Sequence, residues 1–160
     1  MQTITEKILN DTMLYGNIPV FTYHIAYPSF STTCVLSAAQ TANIYYMQLA
    51  ENTEQYCRTV LYPQAVESAR YITSNHPPFN RYTLDMNYQI TYNSGCITSL
   101  YMDTYTYMGG AHQELERISD TWDFSTGKQL HLDDISALTP AALNGLQTSV
   151  ERQIAERLKE

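Results

Sequence analysis

Apolar and polar residues alternate in several stretches of the chain, and a period of two predicts β-strands. The clearest stretch runs from Leu84 to Tyr92, where every second residue is apolar and the residues between are polar. An earlier stretch, from Val20 to Tyr27, alternates in the same way, and Pro28 is expected to end it. The pattern therefore predicts two strands, and the later one should present its polar face to solvent.

A helical period separates these two strands. Residues 37–75 contain no glycine and carry apolar side chains at steps of three and four. Pro63 removes one backbone donor and clashes with the preceding turn. We therefore expect two helices, or one kinked helix, that meet near Leu61 to Tyr62, with the helical region ending in the segment Asn75–Phe79.

A hairpin should follow the strand that begins at Leu84. Asn93-Ser-Gly95 has the composition of a turn, with Gly95 able to adopt a positive φ, and Cys96 to Met108 returns as a long strand. Large side chains occur on both faces of this return strand. We therefore expect it to be central in the sheet and covered on both sides.

Tyrosines are concentrated in this hairpin. Tyr101, Tyr105 and Tyr107 have one parity on the return strand, while Tyr88 and Tyr92 share a parity on its neighbour. Aromatic ladders across the hairpin are one interpretation, and these serve equally for packing and for recognition of a protein or glycan surface. The tyrosines of the return strand are candidate ligand-binding residues.

The second half of the chain predicts a shorter hairpin and a helix. Apolar residues at 118, 122 and 124 indicate a strand that turns through Ser125–Lys128 into Leu130–Leu132. Thr139 before Pro140 is a typical helix start, and a buried apolar stripe is expected on that helix at Leu143, Leu146, Val150, Ile154 and Leu158. The predicted fold is α+β, a mostly antiparallel sheet with a long N-terminal helical segment and a C-terminal helix packed on it. Residues 1–108 would form one part and 109–160 a second, packed as one compact unit.

Composition narrows the class of partner. The 160 residues are 44% hydrophobic and 16% charged, which suits a folded domain with a substantial core. The net charge of −7 argues against nucleic acid, because binding phosphates requires clustered Lys and Arg.

The three cysteines, Cys34, Cys57 and Cys96, allow at most one internal disulfide. One bridge fits an oxidising compartment, but three buried thiols that act as small hydrophobes are the favoured interpretation. The chain carries neither a recognisable secretory signal nor a stretch of transmembrane length, and both of its ends look cut from a longer protein. Membrane anchoring would therefore need a segment outside this chain.

Two motifs carry a family resemblance. A Gly109-Gly-Ala-His112 turn is followed by Thr121-Trp-Asp-Phe-Ser-Thr-Gly-Lys-Gln-Leu-His-Leu-Asp-Asp134. Together with the strand at Tyr23–Pro28, these resemble a bacterial cell-envelope domain pair, found in lysozyme-sensing anti-sigma factors of the RsiV type and beside the catalytic domain of PdaC-like peptidoglycan deacetylases. The resemblance covers about Pro19 to Lys159, and it marks as structural motif residues Gly109, Gly110, Ala111, His112, Gly127 and Asp134.

The resemblance implies an extracytoplasmic α+β domain with two departures from the family pattern. Gln113 stands where the family has glycine after the turn. The family's last, aromatic and proline-rich segment is missing, so the chain resembles a C-terminally truncated member. Its loss would expose a sheet edge that a second copy could pair with, as a homodimer.

Candidate chemistry is sparse. His112, beside two glycines and before Glu114, could act as a general base or a ligand, although a structural role in the turn is favoured. His131 with Asp133 and Asp134 could form an acid-base or cation-binding cluster, but one of the aspartates is more simply a cap before Ile135. The histidines lack metal-ligand spacing, and no nucleophile motif or phosphate-binding glycine loop occurs, so neither a metal nor a cofactor is predicted.

The preferred hypothesis is a non-catalytic binding or sensor domain of the bacterial envelope, with a lysozyme-type hydrolase as a concrete partner by family analogy. The alternative is an accessory domain that positions cell-wall glycan for a peptidoglycan deacetylase or hydrolase. A third hypothesis makes His112 and Glu114 catalytic. The candidate ligand-binding residues are Tyr101, Tyr105, Tyr107, His112 and Glu114.

Overall fold

A computed structural model describes residues 1–75 and 79–159. These residues contain one six-stranded sheet in the order of the sequence, with antiparallel neighbours except for the parallel pair β2 and β3. The α+β class is therefore confirmed. The strands are β1 (Thr3–Tyr15), β2 (Ile18–Ser31), β3 (Tyr82–Ser94), β4 (Ile97–Tyr107), β5 (Glu114–Asp123) and β6 (Lys128–Gln129). The helices are α1 (Leu36–Tyr56), a π-helical turn (Cys57–Leu61), α2 (Tyr62–Asn75), α3 (Leu132–Ile135) and α4 (Pro140–Arg157).

The chain forms two compact units, residues 1–129 and residues 130–160. The boundary expected at 108/109 falls inside the first unit, because β5 pairs with β4 along its whole length, from Thr106↔Glu114 to Ile97↔Asp123. A strand that shares a ladder with its neighbour cannot separate from it as a domain. The sheet and the helices α1 and α2 therefore make up one body.

Strand β1 was not predicted from the sequence. It pairs with all of β2 through a tight hairpin, in which Gly16 adopts a φ of +61°. Its residues are mostly polar and exposed, because β1 is the edge of the sheet and only a few of its side chains reach the core. An edge strand of this kind has weak hydrophobic alternation. Because strands are predicted from such alternation, the sequence pattern did not indicate β1.

The strand predicted to begin at Val20 corresponds to β2, but the prediction that Pro28 ends it is wrong, since β2 continues to Ser31. The parallel ladder with β3 ends at Ile25, so beyond that residue β2 has a neighbour on the β1 side only, among the strands that the structure describes. A strand with one unpaired side accommodates a residue that lacks an N–H.

The helical region is confirmed, including its interruption. The π-helical turn separates α1 from α2 where the kink was expected, and Pro63 is the second residue of α2. Alanines dominate the buried side of α1, at positions 38, 39, 42 and 50. Small side chains let the helix lie close to the sheet. Part of the predicted end of the helical region, residues 76–78, lies outside the described residues.

Strand β4 is central, but the prediction that it is covered on both sides is wrong. Thr98, Leu100 and Met102 are buried on the face toward the helices, whereas most residues of the opposite face are only half-buried. Asp103 is the exception on that face, and it is buried with a charged partner described below. Helices in the first unit cover one face of the sheet, and we call the other the open face.

One end of the first unit, which we call the closed end, is tied together by several long-range contacts. A disulfide joins Cys34 to Cys96, with a Cα–Cα distance of 6.0 Å, and the Phe124 backbone N–H donates to the Cys96 carbonyl at 2.6 Å. The buried Gln2 side chain accepts from Thr98 Oγ1 at 2.6 Å, and its backbone N–H donates to Asn93 Oδ1 at 2.9 Å. The aromatic rings of Phe30, Tyr45, Tyr46, Trp122 and Phe124 pack beside them.

The favoured interpretation, in which all three cysteines are free thiols, is therefore wrong, because Cys34 and Cys96 form a disulfide. Cys34 and Cys96 are brought together because the end of β2 and the turn between β3 and β4 meet at the closed end. Cys57 is free and fully buried in the π-helical turn. Burial raises the pKa of the Cys57 thiol to about 12, so this residue behaves as the small hydrophobe that was expected.

The second unit contains the predicted helix start. The Ala142 backbone N–H donates to Thr139 Oγ1 at 3.2 Å, and Pro140 is the first residue of α4. The His131 backbone N–H donates to the Asp134 carboxylate at 2.8 Å, so Asp134 is the aspartate that caps α3. The apolar stripe that was expected to be buried is exposed by between 46% and 82%, at four positions of α4 and at Leu158, which directly follows α4. Packing of α4 on the sheet stays a prediction.

The hairpin after β5 is shorter than predicted. Its second arm is Lys128–Gln129, which pairs with Trp122 and Asp123, and Leu132 begins a helix instead of continuing the strand.

None of the helices within the described residues is both long and apolar enough to cross a membrane.

Candidate binding surfaces

The first candidate surface lies on the open face and is centred on Asp103. Arg117 donates two hydrogen bonds of 2.6 Å to the Asp103 carboxylate, and the Arg117 guanidinium carbon lies 4.0 Å from the centre of the Tyr101 ring. The Tyr101 hydroxyl donates to Gln89 Oε1 at 2.6 Å, and the Tyr105 hydroxyl lies 3.5 Å from Asp103 Oδ2. We call Gln89, Tyr101, Asp103, Tyr105 and Arg117 the tyrosine face.

Strand register explains why these residues meet. Asp103 of β4 lies directly opposite Arg117 of β5, and Tyr101 lies opposite Gln89 of β3. Hydrogen bonds from Arg117 hold the pKa of Asp103 below its usual value, and the same bonds raise the pKa of Arg117. The pair is therefore ionised at neutral pH, and it holds both side chains in a fixed geometry.

The predicted tyrosine ladders are wrong in register. Tyr88 lies opposite Met102 and so shares the helix-covered face, whereas Tyr101 lies on the open face. A bulge between Ile90 and Tyr92 shifts the parity of β3, and Tyr92 then lies opposite Ser99 on the open face. One irregular residue is enough to move a side chain to the other face of a sheet.

The candidate residues therefore fall in separate places. Tyr101 and Tyr105 belong to the tyrosine face, and the Tyr107 ring makes an edge contact with Tyr82, with 6.5 Å between their centres. His112 lies exposed in the bend between β4 and β5, and within the described part of the chain its side chain makes no hydrogen bond. Glu114 lies on the opposite side of the sheet from the tyrosines. The structure does not assemble these residues into one site.

Two motif glycines have clear structural reasons. Gly109 adopts a φ of +82°, and a Cβ placed there would lie 2.6 Å from Tyr82 Cε1. Gly127 adopts a φ of +77°, and a Cβ there would lie 3.2 Å from the Ala38 Cα. Any larger residue would meet both a strained backbone and a steric contact at these positions.

The second candidate surface is a groove of about 690 Å³ between the helices and the covered face of the sheet. It lies away from the closed end, beside the C-terminal part of α1 and the first part of β5. Its apolar lining includes Leu61, Met86, Met102, Met108 and Ile118. Its volume is within the range of ligand-binding cavities. Sequence patterns did not reveal it, because its walls come from six separate elements: α1, the π-helical turn, α2, β3, β4 and β5.

Two carboxylates line this groove. Glu114 and Glu116 lie opposite Thr106 and Thr104 on β4, and both are exposed. Neither makes an ion pair with another of the described residues, and no Lys, Arg or His is among the groove's lining residues. The groove therefore combines an apolar floor with an uncompensated negative charge.

Polar contacts hold the π-helical turn, which adjoins the groove, against the sheet. Arg58 donates to the Tyr23 hydroxyl at 2.6 Å and pairs with Asp11 at 2.9 Å and with Glu54 at 3.0 Å. Tyr23 also hydrogen-bonds to Glu54, and burial together with that bond raises the pKa of the Tyr23 hydroxyl. These contacts tie the turn to both β1 and β2.

Within the described residues, no group of three or more His, Cys, Asp and Glu side chains could hold a metal ion.

Helices on one face of a largely antiparallel sheet, with a groove between the two layers, define an α+β sheet domain. The sequence profile of a family described as deacetylase PdaC matches residues 16–113, and the chain belongs to this family. Domains of this type are typically extracytoplasmic. No curated protein matches the chain.

Two solved structures have the same fold. A member of the DUF3298 family from Bacteroides fragilis superposes with a TM-score of 0.69 at 15% identity, over 99% of this chain and 72% of the other. A DUF3298 family protein from Pseudomonas aeruginosa superposes with a TM-score of 0.58 at 13% identity, over 99% of this chain and 70% of the other. At these identities the likeness extends to the fold alone.

Proposed function

We propose that this chain is a non-catalytic binding domain of the bacterial envelope that holds cell-wall glycan on its tyrosine face. The observation that carries the proposal is the fixed arrangement of Tyr101, Gln89 and Arg117 around the ionised Asp103. Membership of a family named for a deacetylase supports an accessory role, in which this domain would position a substrate for chemistry performed elsewhere.

The chemistry of the tyrosine face suits a sugar chain. Tyr101 and Tyr105 provide apolar ring surface with a polar tip, and Arg117 provides planar N–H donors beside them, with its side chain 51% exposed. Their positions are set by strand register and hydrogen bonds before any ligand arrives. A preorganised surface loses little side-chain entropy on binding, so even a shallow site can bind usefully.

Sedimentation with insoluble peptidoglycan tests the proposal. The unmodified chain should sediment with the polymer, whereas Tyr101→Ala and Arg117→Ala should stay mostly in the supernatant. Tyr56→Ala is the matched control, because Tyr56 is a half-exposed tyrosine that lines the groove and lies off the open face. Equal sedimentation of all four proteins would contradict the proposal.

A basic protein of the lysozyme type is the second candidate ligand. The net charge of −7 favours it, as do Glu114 and Glu116, which make no ion pair with the part of the chain that the structure describes, because opposite charges accelerate association and orient the partners. Titration of the chain with a basic lysozyme at low salt should release heat, and the signal should fall as salt screens the charges. A titration without heat or mobility change at low salt would remove this candidate.

A further inference from the structure

We infer that the outer edge of β5 and the groove beside it form a second binding site, which accepts an extended basic segment of a partner protein as an added strand. This site is on the opposite face of the sheet from the tyrosine face and does not depend on glycan binding. Three features carry the inference: an unpaired strand edge, alternate side chains that line a groove, and the charge of that groove.

The strand edge is open over most of β5. On one side β5 pairs with β4 from Glu114 to Asp123, but on the other side only Trp122 and Asp123 pair with β6. Among the described residues, no strand pairs with the outer edge of residues 114–119. Such an edge is a template for a further strand, whose main chain would complete the hydrogen-bond ladder.

Side chains beside this edge form one wall of the groove. Glu114, Glu116 and Ile118 occupy alternate positions on β5 and all line it, with Met102 of β4 opposite Ile118. Because side chains alternate along a strand, every second residue of an added strand would extend over the same groove. Pockets for alternate side chains supply the specificity in this mode of recognition.

The charge of the groove selects the kind of segment. Glu114 and Glu116 lie at one end of the row and Ile118 at the other, and the lining residues include no cation. A segment with Lys or Arg at alternate positions and an apolar residue further along would match this order. A basic segment also matches the net charge of −7, whereas an acidic one would meet repulsion.

The other sheet edge provides an internal comparison. Among the described strands, β1 pairs on one side only, as the other edge of the sheet, and none of its residues lines the groove. If a free edge alone were sufficient, both β1 and β5 would bind the same segment. If the groove and its carboxylates matter, only β5 would do so.

A synthetic eight-residue peptide of alternating Lys and Val, with blocked ends, is the probe, and a peptide of alternating Glu and Val is its control. Binding to the full chain is measured by fluorescence anisotropy at low salt, and the site by the hydrogen-exchange protection of backbone amides. We expect the Lys-Val peptide alone to bind and to protect amides within residues 114–119. Equal binding of both peptides, failure of the Lys-Val peptide to bind, or protection on β1 instead would overturn the inference.

Charge-neutral variants then test the role of the two carboxylates. Glu114→Gln with Glu116→Gln should weaken the Lys-Val peptide about tenfold at low salt, roughly the effect of two partly screened ion pairs. Glu6→Gln, which removes one charge from the β1 edge, should leave the affinity unchanged. The double variant should still sediment with peptidoglycan, so failure of this site and failure of the tyrosine face are distinguishable. The inference would also be overturned if the double variant bound the peptide with unchanged affinity. The same holds if the amides of β5 became protected as the protein concentration rises without peptide, because two copies would then be pairing at this edge.

Discussion

The two ends of the first unit differ in how the space between helices and sheet is filled. At the closed end a disulfide, a buried Gln2 network and five aromatic rings occupy it. At the other end the same two layers leave a groove of about 690 Å³, lined by two carboxylates that make no ion pair with the described residues. Close packing stabilises a fold, whereas unfilled space with uncompensated charge is available to a ligand. The comparison assigns stability to one end and recognition to the other.

The strongest test of this division is removal of the disulfide. Cys34→Ala with Cys96→Ala should lower the free energy of unfolding by about 4 kcal/mol, because the bridge closes a loop with a sequence separation of 62. Urea unfolding followed by the fluorescence of Trp122, the single tryptophan, measures the loss. Cys57→Ala is the control and should cost about 1 kcal/mol. A smaller loss in the double variant than in the control would show that the closed end is held by packing alone.

A glycine in the bend between β4 and β5 tests whether order extends beyond the closed end. Gly109→Ala should lower the free energy of unfolding by about 3 kcal/mol. An alanine at a φ of +82° would have a strained backbone, and its Cβ would contact the Tyr82 ring. In Gly110→Ala the nearest atom lies 3.9 Å away, so its stability should change by less than about 0.5 kcal/mol. Thermal unfolding of the two variants gives the difference. Equal melting temperatures would mean that the bend has no fixed conformation.

The Asp103–Arg117 pair should make the middle of the sheet sensitive to acid. The folded-state pKa of Asp103 is lowered, so its contribution to stability is fully present above its unfolded-state pKa of about 3.9 and is lost as the pH falls through the folded value. The unmodified chain should therefore lose more stability between neutral pH and about pH 2 than Asp103→Asn does. Melting temperatures across that range measure this, and parallel curves for the two proteins would contradict it.

The smallest effect on stability is expected at the groove. Glu114→Gln and Glu116→Gln should each change the free energy of unfolding by less than about 0.5 kcal/mol, because both side chains are exposed and make no ion pair with the described residues. Urea unfolding checks this. A loss above about 1 kcal/mol would show that the carboxylates stabilise the fold, and the division between the two ends would then fail.

Elements with a strong period were predictable from the sequence. The alternation from Leu84 to Tyr92, the glycine turn at Gly95 and the Thr139-Pro140 helix start all correspond to observed elements, because each depends on local backbone preferences. Strand β1 was missed because few of its side chains reach the core.

The candidate surfaces were less predictable, since they depend on contacts between distant elements. Asp103 is the single charged residue in the sequence of β4, and its partner Arg117 became apparent only from the register of β4 and β5. The bulge before Tyr92 changed which tyrosines share a face. The groove requires α1, the π-helical turn, α2 and three strands to be placed together, which no local pattern encodes.

The bond between Cys34 and Cys96 has a consequence for protease resistance, because both helices and β3 lie inside the loop that it closes. A protease that cuts once between residues 35 and 95 would produce two fragments that remain covalently joined. Such a nicked protein would keep its mass, apart from one added water, until a reductant separated the fragments.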